Sequence, residues 1–404
     1  MNILMLSVTF PYPASRGGTE VRTFNLLKSL RQDHDITLFT LRYDGVPEAD
    51  IEALAEWVSE LKVFPVPSNE YDRSPLGKAA RFGRFLLDGT PASTRHRQTQ
   101  EIQAWIDAKA QSGQFDAVTC EHSANEVFVS PTVQAHIPRR IVDIHSSVYG
   151  TCKQQLATGT AENPLRERLN LALLKRYETQ YCGKFTDLVV TTPEDAAQIR
   201  ELRPDQRVHV VTNGVDLKEF SLRTQDPEGH DLVFVGAMDT PPNVDAAVYF
   251  SREVFPLLRE RYDDATLYLV GTRPTPSVLA LQEVPGVVVT GKVPSTTDYL
   301  HKATVCVVPL RSGYGIKNKT IEAMAAGIPV VGSDRGLEGL QIKDADGNRR
   351  ALRANTPQEY VAAISQLFEN LGLRQALSQN ARTMIEADYT WENAGKIYAG
   401  VLSR

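Results

Sequence analysis

The sequence predicts an α/β protein built from two doubly wound, parallel-sheet domains. Apolar runs of strand length alternate with longer helical patterns along the chain, the signature of a parallel sheet. The second-half runs, such as "DLVFVG" and "TVCVVP", are nearly continuous in valine and leucine, as strands covered on both faces must be. At 404 residues the chain exceeds one typical domain. A polar, turn-rich stretch, "SLRTQDPEGHD" from Ser221 to Asp231, marks a joint near the middle.

In order, first-half strands fall near "NILMLSV", "DITLFTL", "LKVFPV", "FDAVTCE", "RRIVDI", "DLVVTT" and "RVHVVT". Second-half strands fall near "DLVFVG", "ATLYLVG", "GVVVTG", "TVCVVP" and "IPVVGS", and the closing "YTWENAGKIYAGVLSR" has a helical pattern. Ligands of such sheets bind beyond the carboxyl ends of the strands, so the loops after strands are where chemistry is sought.

Composition narrows the class. Hydrophobic residues at 42% and charged residues at 23% fit a globular protein with a real core. A formal charge of −5 argues against a nucleic-acid partner. The opening "MNILMLSVTF" has no basic region before it, and no run approaches the roughly 18 apolar residues of a membrane span. A cytoplasmic protein is expected. Cys120, Cys152, Cys182 and Cys306 are scattered without a paired motif and read as free, buried thiols.

Three stretches carry chemistry. In "FPYPASRGGTEVRTFNLLKSL", Gly17 and Gly18 let backbone approach a ligand just before a helix, although the pattern is not a dinucleotide fingerprint and suits a tight structural turn equally. In "VTNGVDLKEF", Asn213-Gly214 signals a turn and Asp216 can cap the short segment after it. In "VVPLRSGYGIKNKTIEAMAAGIPVV", a strand leads through Gly313, Tyr314, Gly315 and Ile316 to a helix, with Lys317 and Lys319 at its start and Glu322 one turn further in. Asn318 is expected to be the N-cap. Free N–H groups, the positive dipole end and two lysines point to an anion, and a diphosphate fits the turn. Alternatively, Glu322 merely complements the dipole and the lysines are solvated.

Taken together, these stretches resemble family 4 glycosyltransferases, which have the GT-B architecture. "NGVD" followed by Phe220, the initial glycine pair, and "EAMAAGIPVV" with Glu322 carry the resemblance, which extends over essentially the whole chain. It implies an acceptor-side Rossmann-like domain over 1–215, a nucleotide-sugar domain over 216–389, a cleft between them, and a final helix, 390–404, returning to the first domain. It further implies that "FDAVTCEHS" and "RRIVDIHSS" deliver His122 and His145 to the donor sugar, with His145 placed ahead of His122. Lys317 and Lys319 would stabilise the leaving diphosphate, and Glu322 would hold the ribose. Gly17, Gly18, Lys292, Val293, Gly313, Tyr314, Gly315, Ile316 and Asn318 complete the expected donor contacts.

Two departures stand out. Tyr314 occupies the place of the family's first glutamate, and "AMDTPPN" lacks the usual Arg and Lys after the first strand of the second domain. The turn is closer to a bacterial polysaccharide-type subgroup, where cations within the turn replace them. "DHD" at Asp33–Asp35 and "DAD" at Asp344–Asp346 have a metal-binding spacing, but they read as turn and cap residues, so neither metal nor cofactor is expected. The segment "PLGKAARFGRFLLDG", with Lys78, Arg81 and Arg84, reads either as a basic amphipathic helix on a lipid surface or as an ordinary helix burying its apolar side.

The resulting expectation is a retaining, metal-independent hexosyltransferase of polysaccharide biosynthesis. It would move a sugar from a nucleotide diphosphate sugar, UDP first, to a saccharide or lipid-linked hydroxyl, with peripheral contact at the inner membrane. The alternatives are a protein that binds a nucleotide sugar or glycan without turnover, and a nucleotide-sugar epimerase of the same fold.

Overall fold

The computed structural model describes the chain apart from residues 14–16, 68–73, 75–82, 84, 86–88, 162 and 404. The basic segment carrying Lys78, Arg81 and Arg84 therefore lies outside the described residues.

The chain divides into two compact units, Met1–Thr212 with Ala394–Arg404, and Asn213–Asn393. The first unit contains β1 (Asn2–Ser7), β2 (Asp35–Arg42), β3 (Glu60–Pro65), β4 (Ala117–Glu121), β5 (Arg139–Ile144), β6 (Asp187–Val190) and β7 (Arg207–Val210). They form one parallel sheet in the order β3-β2-β1-β4-β5-β6-β7. The second unit contains β8 (Asp231–Val235), β9 (Thr266–Val270), β10 (Val287–Gly291), β11 (Val305–Val308), β12 (Val330–Gly332) and β13 (Leu352–Arg353). Its sheet, also parallel, runs β10-β9-β8-β11-β12-β13.

Both sheets reverse their winding once, between β1 and β4 in the first and between β8 and β11 in the second. A crevice opens at such a switch point because the flanking loops leave in opposite directions. The central strands are apolar on both faces. Ile3 to Leu6 of β1 and Val305 to Val308 of β11 are essentially inaccessible. The twelve strands read from the sequence are all present. The thirteenth, β13, is two residues long between two alanines and carries no alternation that sequence periodicity could detect.

The polar stretch after Ser221 belongs to the second unit and is not a loose joint. The Arg223 backbone N–H donates to the Ala326 carbonyl, and its guanidinium bonds the Ala303 carbonyl and pairs with Asp226. Asp226 in turn pairs with Arg374. The last helix, Trp391–Leu402, contributes its residues from Ala394 onward to the first unit. Its Gly395 lies so close to Ser29 that a Cβ there would sit 2.0 Å from Oγ. Gly214 also serves close approach rather than a left-handed turn: a Cβ would fall 2.2 Å from the backbone nitrogen of Trp391.

Candidate functional site

Each switch point carries a cluster of polar side chains. In the first unit the chain leaves β1 through Gly17, which precedes the helix Gly18–Leu30 in an extended conformation and gives it no side-chain cap. Arg22, one turn into that helix, is buried, and its guanidinium bonds both oxygens of Asp143 on β5, at 2.6 and 2.9 Å, and the Thr212 carbonyl at 3.2 Å. Burial alone would raise the Asp143 carboxyl, but Arg22, followed by His145, holds it well below the usual carboxylate range.

Asp143 also orients His145. Nε2 of the imidazole is 3.0 Å from the carboxylate, and Nδ1 faces the Thr19 hydroxyl at 3.5 Å. With Asp143 ionised, Nε2–H is the donor, which leaves the Nδ1 lone pair in the neutral ring turned toward the start of the first helix. His122, just past β4, has a φ of 93°, accepts from the Ala124 N–H through Nδ1, and places its ring centroid 5.3 Å from that of His145. Burial, and then His145 and Arg97, lower its pKa to about 3, so it is a neutral imidazole.

Beneath the histidines lies Glu121, the last residue of β4. The buried Tyr398 hydroxyl donates to its Oε1 at 2.9 Å. Burial and the neighbouring Asp143 charge push the Glu121 carboxyl up to about 8. Ligand atoms of Glu121, Asp143 and His145 lie within 4.8 Å of one another. Both Asp143 oxygens already accept from Arg22, so the cluster houses a guanidinium where a cation would otherwise supply the charge.

In the second unit the glycine turn follows β11. Gly313 and Gly315 have φ of 128° and 72°, which favours glycine at both positions. The helix Asn318–Ala325 follows, and its N-cap is Lys317, one residue earlier than the expected Asn318, because Lys317 is still extended and its carbonyl accepts from the Thr320 N–H. Asn318 instead accepts from the Asn213 side chain at 2.7 Å, so the "NGVD" stretch and the glycine turn meet within one unit. Asp216 caps its short segment as expected, accepting from the Lys218 and Glu219 N–H groups.

The two lysines differ sharply. Lys317 is buried, bonds the Gly315 carbonyl, and pairs with Glu338 at 3.1 Å, a carboxylate that also holds Arg335. Its charge is thus already matched. Lys319 donates to the Asn243 side-chain oxygen and stands 4.6 Å over the Phe234 ring. Its amino group reaches the carboxyl end of β8, where a Cβ on Gly236 would fall 2.6 Å from it. Burial pulls the Lys319 ammonium down to about 7, with Glu322 opposing the shift. Burial, and then Glu219, lift the Glu322 carboxyl to about 7. A half-buried amine and acid, one turn apart and each near neutrality, suit a ligand that brings both negative charge and hydroxyl groups.

Lys292 and Val293 follow edge strand β10, two strands away from β8. Lys292 is exposed, and Val293 packs on the core. Asp344 and Asp346 form an exposed turn in which Asp344 accepts from the Asp346 and Asn348 N–H groups. The four cysteines are free and buried. The sequence reading missed Arg22, Glu121, Asp143, Asn243 and Tyr398. A detectable signal existed for Asp143, an acid inside an apolar strand two residues before a histidine, but nothing local marked its partner.

A model of Glycosyltransferase Family 4 matches residues 16–219, half of the chain, and one of Glycosyl transferases group 1 matches residues 229–370. The chain belongs to glycosyltransferase family 4. An uncharacterized glycosyltransferase of Methanocaldococcus jannaschii is 28% identical over 122 residues, spanning 30% of this chain and only 31% of that relative. A second from the same organism is 24% identical over 427 positions, 98% of this chain and 96% of its own. Among solved structures, the sucrose-phosphate synthase of Thermosynechococcus elongatus aligns with a TM-score of 0.71 at 17% identity, over 100% of this chain and 99% of that one. Anabaena HepE in complex with UDP-glucose aligns at 0.65 and 14%, over 100% and 99%. The fold is therefore GT-B, with two Rossmann-like units.

Proposed function

We propose that the chain is a retaining glycosyltransferase acting without a metal on a nucleotide diphosphate sugar, with UDP as the favoured carrier and a saccharide or lipid-linked hydroxyl as acceptor. The observation that carries this reading is Lys319, whose charge is not matched by an ion pair among the described residues and whose amino group stands at the carboxyl end of β8 beside the β8/β11 switch point. A diphosphate placed there would keep the amine protonated, and Glu322 one turn on would accept from ribose hydroxyls. HepE, similar across its whole length, was crystallised with UDP-glucose.

In this mechanism Lys319 and the turn's N–H groups stabilise charge as it grows on the leaving diphosphate, the stage at which binding raises turnover. His145, held by Asp143, contacts the sugar, while Lys317 shapes the turn through Glu338. Asp143 is committed to Arg22, and burial beside Asp143 lifts the Glu121 carboxyl to about 8, which keeps it a poor nucleophile near neutrality. Both favour attack by the acceptor from the leaving-group face over a covalent intermediate.

A thermal-shift panel of uridine, guanosine and adenosine diphosphate sugars tests the donor, since a ligand that binds only the folded state raises its stability. A shift confined to UDP-sugars is expected, followed by UDP release in excess chelator and a product of unchanged anomeric configuration by NMR. Activity abolished by EDTA and restored by manganese would refute the metal-free mechanism. Donor binding with no UDP release to any acceptor would favour the binding-protein alternative.

A further inference from the structure

The helix Pro164–Cys182 is seated by one face only. Tyr177, Glu178, Tyr181 and Cys182 of its last turns are buried, and it packs along the helix Val148–Thr158. At 3.6 residues per turn, its first three turns send a different face outward. Leu165 and Leu169 are 73% and 70% exposed, and Ala172 and Arg176 continue the same stripe, also exposed. Arg168 and Lys175 flank it, exposed, and with Arg176 they make no ion pair among the described residues. Glu167 is the one carboxylate before the buried Glu178, and it turns inward to pair with Arg166 and meet the Cys152 thiol.

We infer that this face docks on an anionic lipid surface. Two leucines one turn apart on the outward face are not accounted for by packing, because Leu171 and Leu174 supply the inward side. A stripe of leucine bordered by arginine and lysine, without acids, is the chemistry of a helix that lies in a membrane interface: leucines enter the acyl boundary and cations meet the headgroups. Charge selects this occupant over a second copy of the chain. Pairing two such faces would gather two sets of the cations Arg168, Lys175 and Arg176 at one interface with no outward carboxylate to offset them. The chain as a whole carries −5, so the basic face is local and not a general surplus. The inference stands apart from the donor assignment, since it uses no residue of either switch-point cluster.

The test is partitioning of the full chain onto vesicles of phosphatidylcholine alone and of equal parts phosphatidylcholine and phosphatidylglycerol. Binding is expected on the anionic vesicles only, weakening as salt screens the charges. Leu165→Gln with Leu169→Gln should lower the partition coefficient roughly tenfold for each leucine. Arg168→Glu with Lys175→Glu and Arg176→Glu should abolish the preference for phosphatidylglycerol, each cation contributing about fivefold. All five positions are exposed, so melting should be unchanged, which separates lost docking from lost fold. Failure of the wild type to bind either vesicle, or wild-type binding by both variants, overturns the inference. A dimer in light scattering that Leu165→Gln with Leu169→Gln converts to monomer also overturns it, making a second copy the occupant. None of these outcomes depends on whether UDP binds.

Discussion

The two switch points hold charge in opposite ways. In the first unit a buried acid meets a buried base in a two-point contact, Arg22 on Asp143, and the same carboxylate fixes His145. In the second, Lys319 and Glu322 are neighbours on one helix, yet each titrates near 7 and the amine leans on a neutral amide and an aromatic face. The first arrangement fixes His145 with no ligand present. The second is left electrically unsatisfied, and a diphosphate nucleotide would complete it. Rigidity where a group must be oriented, and unmatched charge where charge must be received, is the division of labour that preorganised catalysis requires.

Breaking the first arrangement should give the largest effect. Arg22→Met leaves the Asp143 carboxylate buried and uncompensated, a loss of about 3–5 kcal/mol for a buried pair stripped of one partner. Urea unfolding should record it, and Arg22→Met with Asp143→Asn should recover much of the loss because no buried charge remains. A single variant as stable as wild type would mean that the pair is open to water.

Removing Lys319 should act on chemistry and leave stability alone. Lys319→Ala deletes one charge-assisted contact to the leaving group, about 1.5–3 kcal/mol, which is roughly ten- to a hundredfold in turnover. The melting temperature should hold or rise, since a partly desolvated amine is gone. Binding an anion favours the protonated amine, so a loss of UDP affinity as pH rises through about 7 should mark the wild type and be absent from the variant, which keeps only the opposite dependence on Glu322. Lys317→Ala should instead lower stability, because it removes a buried ion pair and leaves Glu338 with Arg335 alone. If Lys317→Ala costs turnover and Lys319→Ala does not, the roles assigned to the two lysines are exchanged.

How much of this was legible in the sequence depends on distance along the chain. Strands announced themselves as valine-rich runs, and the glycine turn with its lysines and Glu322 is a local string of residues. The partnership that decides which lysine is free is not local: Lys317 meets Glu338 and Lys319 meets Asn243, 21 and 76 residues away. Arg22 and Asp143 are separated by 121 residues and Glu121 and Tyr398 by 277, so no spacing rule connects them. Gly214 read as a turn former, and only the close passage of Trp391 reveals its steric role.

Glu322→Gln should give the smallest effect and the sharpest sign. Burial, and then Glu219, raise the carboxyl from its ordinary 4.5 to about 7, so between those values the folded protein holds a proton that the unfolded chain has released. That contribution to stability is fully present below 4.5 and is lost as pH rises through about 7. Glutamine cannot titrate, so the variant should lack this descending slope and melt no lower than wild type at pH values above 7. Nucleotide binding should move the other way. An amide oxygen accepts a ribose hydroxyl bond less strongly than a carboxylate by about 1 kcal/mol, or roughly fivefold in Kd, with free UDP and UDP-sugar weakened alike because the contact precedes chemistry. Calorimetric titration of UDP at pH 8, beside melting curves from pH 4.5 to 8, separates the two effects. Unchanged UDP affinity in a variant that has lost the pH slope would place Glu322 in the fold of the turn and outside the nucleotide site.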